Sequence, residues 1–123
     1  MRGIAMDASR LRLRLSNGVD GHVVVRVEGE LDLSDVRRLR DVLATVAESA
    51  AVVVLDLADL SFVDLCGLRA FHDAHEAAAR RGSRLVLVSP GPAVTRYLEL
   101  TGINGFEISG DRTILDGDGS APG

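Results

Sequence analysis

The stretch Asp64–Leu65–Cys66–Gly67 stands where a very apolar run gives way to an Ala-rich helical pattern. Its residue types at that position can do chemistry of three kinds. A carboxylate at Asp64 can accept hydrogen bonds from the free N–H groups of a helix's first turn, which makes it an N-cap. The helix start itself favours an anion, phosphate included. A thiol at Cys66, near that start, is of the kind that helix ends can activate. A second group, His72–Asp73 with His75–Glu76, has the residue types of a metal site.

Both enzymatic readings fail on spacing. His72 lies six residues past Cys66, about 9 Å by helical rise, too far for a Cys–His dyad. Cys66 therefore reads as a small, partly buried residue. The two histidines are three apart, whereas a zincin pair is four apart, and no third ligand is evident. They read as a solvated or core-edge helix face. The sequence predicts no enzyme, no cofactor and no metal.

Composition narrows the classes further. At 123 residues, 46% hydrophobic and 26% charged, the chain has the size and balance of one globular domain. Its net charge of −4 argues against a general nucleic-acid binder, which needs a basic stripe. All 14 basic residues are Arg, so Schiff-base chemistry and a Walker-type loop, which need Lys, are excluded. The lone Cys allows neither an internal disulfide nor a zinc cluster. No run is apolar enough to span a bilayer, and Met1–Arg2–Gly3–Ile4 opens no signal peptide, so a cytoplasmic chain without membrane insertion is expected.

The elements that must position Asp64 follow from periodicity. Leu11 to Leu15 alternates as a half-buried strand, Asn17–Gly18 marks a turn, and His22 to Val27 is a Val-rich second strand. The two are expected to pair as an antiparallel hairpin. Gly29–Glu30–Leu31–Asp32 reads as a turn, with Asp32 or Ser34 capping a helix over Asp35 to Ser49. Val36, Leu39, Leu43 and Val46 fall on one face of that helix, and Arg37, Arg38 and Arg40 lie off it. Val52 to Leu57 reads as a central strand covered on both faces. Leu60 to Val63 reads as a short loop. The next helix, to Arg81, places Leu68, Phe71, His75 and Ala78 on one face. Arg84 to Ser89 is a further strand, a helix begins near Pro92, and Gly105 to Ser109 is a last short strand. No internal repeat is visible. The expected fold class is α/β, a single domain over residues 11–109. It has a mixed, mostly parallel sheet, an N-terminal antiparallel hairpin and three main helices. Residues 1–10 read as a loose arm and residues 110–123 as a flexible tail.

The residues around the cap also carry a likeness. Asp56–Leu57, Phe62–Val63–Asp64 and Gly67–Leu68, with Gly29–Glu30–Leu31–Asp32 and the closing segment Ser89 to Ile103, resemble the signature of STAS domains. That is the fold of bacterial anti-sigma factor antagonists. The resemblance implies that the loop and helix start dock on an anti-sigma factor that is also a serine kinase, freeing a sigma factor. It further implies that phosphorylation at the helix start prevents docking. Carried over by motif, the partner-binding residues are Glu30, Asp32, Ser61, Phe62, Asp64, Leu65, Cys66, Gly67 and Leu68. The family's phospho-acceptor Ser or Thr is replaced by Leu65, a degenerate position, so the ordinary switch cannot operate there. The expected function is thus an anti-sigma factor antagonist without its covalent switch. The alternative is a non-enzymatic STAS subunit of a stress-signalling assembly or lipid transporter. Neither reading fixes an oligomeric state.

Overall fold

The computed structural model describes residues 10–101 and 107–109. The arm expected over 1–10, apart from Arg10, and the tail expected over 110–123 lie outside the described residues. So does the helix end expected at Gly102.

Strand β1, Leu11–Asn17, runs antiparallel to β2, Val23–Leu31, with Leu11 opposite Gly29 and Asn17 opposite Val23. The hairpin is as the alternation predicts. Asp20 and Gly21 turn the chain with positive φ between the strands. A short 3-10 turn over Leu33–Asp35 leads into helix α1, Val36–Ala47. Strand β3, Val52–Asp56, lies parallel between β2 and β5, Arg84–Val88. Strand β6, Glu107–Ser109, pairs in parallel with β5. Helices α2, Leu65–Arg80, and α3, Gly91–Thr101, complete the order. It is a six-stranded mixed sheet with one antiparallel pair and three helices.

All five residues of β3 are buried, which is why Val52 to Leu55 is apolar without alternation; the fifth, Asp56, accepts from Arg26 at 3.0 Å and from the Ala58 N–H at 3.1 Å. Val53 and Leu55 face the main core with Val25, Val27, Leu85 and Leu87. Against them pack Leu39, Leu43 and Val46 of α1, Leu68, Phe71 and Ala78 of α2, and Val94 and Leu98 of α3. Val24, Val52, Val54, Val86 and Val88 form a second buried cluster from the alternate positions. The α1 face is the one its spacing predicts. Two of its arginines do more than face solvent: Arg38 donates to the Leu11 carbonyl at 3.0 Å, and Arg40 reaches Asp73 of α2 at 2.7 Å.

Two expectations need correction, and they share a cause. Gly29, Glu30 and Leu31 do not form a turn; they are the end of β2. Leu60–Val63 is not a loop; it is a strand, β4, parallel to β2. β2 pairs first with β3 over Val23–Arg26 and then with β4 over Gly29–Leu31. The changeover is at Gly29, where φ is +92° and the register shifts. A side chain there would collide with the Arg10 carbonyl oxygen, so only glycine lets β2 continue past the kink. The backbone N–H of Gly29 then donates to Asp59 and that of Glu30 to Arg10. Four residues with one partner strand bury too little to impose a period that sequence alone reveals.

Candidate functional site

The strand pairing that periodicity missed is what builds the site. Glu30 is registered with Phe62, and Leu31 with Val63. The Asp64 N–H donates to the Leu31 carbonyl at 3.2 Å, holding the two strand ends together. β4 passes directly into Asp64, the N-cap of α2. β2 passes into Asp32, which caps the 3-10 turn over Leu33–Asp35 and not α1 as expected. That intervening turn separates Asp32 from α1, whose N-cap is Asp35 and makes no side-chain cap bond. The Asp32 carboxylate accepts from the Ser34 N–H at 3.0 Å and from the Ser34 hydroxyl at 2.7 Å. The Asp64 carboxylate accepts from the Gly67 N–H at 3.0 Å, as the expected N-cap of α2 does.

Gly67 explains why α2 starts so close to the sheet. A Cβ there would stand 2.8 Å from Leu31 and Val63 side-chain carbons. The missing side chain lets the first turn press on both strand ends. Leu68, next along, is buried in the core. Cys66 is half-buried and packs against the same core, as its bland reading expects.

Beyond the caps the chain exposes apolar side chains. Leu65 is 51% exposed, Phe62 51% and Leu33 68%. Leu33 was not picked out by motif, although a signal for it exists. Asp32–Leu33–Ser34–Asp35–Val36–Arg37 and Asp64–Leu65–Cys66–Gly67–Leu68–Arg69 share an Asp-Leu start, a buried aliphatic residue and an Arg at the same offsets. This six-residue echo is too short to register as a repeat; the sheet brings together its first residues, Asp32 and Asp64. Ser61, the nearest hydroxyl before the cap, donates to the Gly29 carbonyl at 2.9 Å. Glu30 meets Arg10 at 3.4 Å, both exposed.

The nine residues named from motif therefore gather at one end of the sheet, on β2, β4 and the start of α2. Four of them, Phe62, Leu65, Gly67 and Leu68, offer no nucleophile or acid–base group; the Ser61 hydroxyl is turned to the Gly29 carbonyl and Cys66 is half-buried. The carboxylates of Asp32 and Asp64 are spent on capping, and that of Glu30 meets a guanidinium. Such a surface suits docking through apolar and hydrogen-bonding contacts better than covalent chemistry. The histidine group lies elsewhere on α2, where His72 Nε2 is 3.4 Å from Glu76. Among the described residues no three His, Cys, Asp or Glu side chains converge as metal ligands. A groove of about 280 Å³ runs between the C-terminal halves of α1 and α2, floored by alanines and away from the caps. Among the described residues no helix is long and apolar enough to cross a membrane.

Comparison with known proteins places this arrangement. The family described as STAS domain matches residues 15–114. An anti-sigma-B factor antagonist of Listeria monocytogenes is 29% identical over 84 residues, covering 68% of this chain and 74% of that protein. The crystal structure of an anti-sigma factor antagonist from Mycobacterium paratuberculosis superposes with a TM-score of 0.71 at 28% identity, over 87% of this chain and 90% of that one. The Bacillus cell fate determinant SpoIIAA, in its phosphorylated form, shares the fold with a TM-score of 0.68 at 20% identity, over 85% of this chain and 97% of its own.

Proposed function

This chain belongs to the STAS domain family, and from that premise we propose that it is an anti-sigma factor antagonist, a non-catalytic regulator of transcription. The observation that carries the reading is the capped start of α2. Asp64 caps it, Gly67 packs it on the strand ends and Leu68 buries its inner face, and the exposure of Leu65 and Phe62 beside it supports docking there. The partner in this reading is an anti-sigma factor of the serine-kinase type, bound in the cytoplasm, with release of its sigma factor as the consequence. The docking residues are Glu30, Asp32, Ser61, Phe62, Asp64, Leu65, Cys66, Gly67 and Leu68. The functional domain spans 11–109, flanked by the arm and tail.

In this reading the covalent switch is lost. Neither Asp64, Leu65, Cys66 nor Gly67 carries a hydroxyl a serine kinase can use. Ser61 sits before the cap with its hydroxyl turned to the Gly29 carbonyl, outside the first turn of α2 at which such a kinase is aimed. Docking is then constitutive and set by partner abundance. An exposed Leu at position 65 strengthens it, since burying such a side chain is worth roughly 1.5–3 kcal/mol.

The test is incubation of wild type and Leu65→Ser with a purified kinase-type anti-sigma factor and ATP, followed by intact mass and peptide mapping. Binding by wild type with no mass gain is the expected result. Phosphate on wild-type Ser61 refutes the lost switch. Failure of both proteins to bind, with recovery of transporter or scaffold subunits in a pull-down, replaces the antagonist reading by that of a structural STAS subunit.

A further inference from the structure

We propose that the free edge of β1 is a strand-docking site, and that its occupant is an extended segment of another protein in which acidic and apolar residues alternate. The site is separate from the start of α2. Leu15 lies opposite Val25, six residues back along β2 from Leu31, which is roughly 20 Å from the caps. The proposal therefore does not rest on the antagonist reading.

Three observations carry it. First, β1 stands at one end of the strand order and pairs with β2 alone. Bonds at both ends of the hairpin fix the parity of its ladder: the Glu30 N–H donates to the Arg10 carbonyl at 3.2 Å, and the Gly18 N–H to the His22 carbonyl at 2.7 Å. Pairs in an antiparallel ladder alternate, so Arg12, Arg14 and Ser16 bond to β2, while Leu11, Leu13 and Leu15 aim their N–H and C=O groups outward. Arg38 covers the Leu11 carbonyl, and nothing among the described residues covers those of Leu13 and Leu15. The strand carries neither the Pro nor the bulge that blunts an edge.

Second, an apolar cleft of about 270 Å³ adjoins this edge, between Leu15 and Val42, Thr45 and Val46 of α1. Arg40, Ala44 and Ala47 face α2, so Val42 and Thr45 lie on the opposite flank of α1, over β1. Leu15 is 53% exposed there. A strand added about 4.8 Å beyond β1 sends every second side chain to the helix side of the sheet, into this cleft.

Third, the two sides of the edge differ in charge. Leu13 packs toward the main core, so Arg12 and Arg14 project from the other side of the sheet. Arg14 meets Glu28 at 3.3 Å and stands opposite Arg26, and Arg12 has no ion-pair partner among the described residues. Asp41 borders the cleft on the helix side. The occupant that fits turns acidic residues to the arginines and apolar ones to α1. A second copy laid antiparallel across the middle of β1 sets Arg12 and Arg14 against the same two arginines, and like charges directly opposite are unfavourable. The residues that bar self-pairing thus select an acidic strand. A helix in this place leaves the outward N–H and C=O groups unpaired.

The experiment is a titration of the isotope-labelled full chain with a blocked heptapeptide alternating Glu and Val, followed by NMR and amide hydrogen exchange. Binding is expected to slow exchange at Leu13 and Leu15 and to leave Arg12 and Arg14, already in the ladder, unchanged. A heptapeptide alternating Lys and Val is expected to bind at least about 10-fold more weakly. Leu15→Pro removes one outward N–H and leaves the bonds to β2 in place, so it is expected to keep the fold and lose about 10-fold or more in affinity. Arg12→Glu/Arg14→Glu is expected to reverse the preference between the two peptides, and with Glu at position 14 facing Arg26 the hairpin stays paired. Absence of shifts at Leu13 and Leu15 with millimolar Glu/Val peptide overturns the proposal. So does protection without alternation, or equal binding of the two peptides. Leu13 and Leu15 amides that already exchange as slowly as their neighbours in the free monomer show an edge covered by the chain itself, and also overturn it. A wild-type dimer that Leu15→Pro dissociates overturns it in favour of a self-interface.

Discussion

Replacing Asp64 by Ala removes one hydrogen bond whose surroundings allow its worth to be worked out. The carboxylate accepts from the Gly67 N–H at 3.0 Å, and Gly67 is buried against Leu31 and Val63, so water does not replace the lost acceptor. A buried donor left unpaired costs about 1–3 kcal/mol, and loss of an N-cap about 0.5–2 kcal/mol. These describe the same bond and do not add; about 1–2 kcal/mol is expected. The backbone bonds from the Asp64 N–H to Leu31 and from the Leu68 N–H to the Asp64 carbonyl survive the substitution, which bounds the loss. For a domain of this size that is a fall in Tm of roughly 4–12 °C. Asp32→Ala provides the internal comparison. Its carboxylate serves the exposed Ser34 N–H and hydroxyl, which water can satisfy, so it is expected to cost less, about 0.5–1 kcal/mol. Urea unfolding followed by far-UV circular dichroism measures both, with Asp64→Asn as the variant that keeps an acceptor and loses the charge. An Asp64→Ala midpoint equal to wild type, or Asp32→Ala more damaging than Asp64→Ala, refutes the argument that burial of Gly67 sets the value of the cap.

Gly67→Ala places a methyl 2.8 Å from Leu31 and Val63 carbons and is expected to destabilise by about 1–3 kcal/mol, read by the same unfolding assay. Gly29→Ala is expected to be worse, because positive φ and the Arg10 carbonyl both oppose it, and loss of soluble, folded protein is the readout. Leu55→Ala, in the centre of β3 and fully buried, is expected to cost about 2–5 kcal/mol. The Arg40–Asp73 pair joins α1 to α2 but is half-exposed on both sides, so a double-mutant cycle is expected to return about 0.2–1 kcal/mol, falling with salt.

The sequence by itself determined what depends on local pattern. Val52 to Leu55 is apolar at consecutive positions because both faces of β3 are covered, and that feature placed the strand at the centre. The amphipathic spacing of Val36, Leu39, Leu43 and Val46 determined the buried face of α1, and Asp64 before a helical pattern determined the cap of α2. The residues of the candidate site were named by their resemblance to the STAS signature; of them, Asp32, Asp64 and Gly67 also have a type that a cap or a close approach demands. Tertiary structure alone decided how those residues meet. Leu60 to Val63 has no period of its own and becomes a strand only because Gly29 lets β2 outrun β3 and offer a free edge. That pairing sets Asp32 beside Asp64. Whether Leu33 and Leu65 are core or exposed was likewise undecidable from their type, since a leucine just after a cap can turn either way. The packing of Gly67 against Leu31 and Val63 occupies the inward direction at the start of α2, and Leu65 faces out.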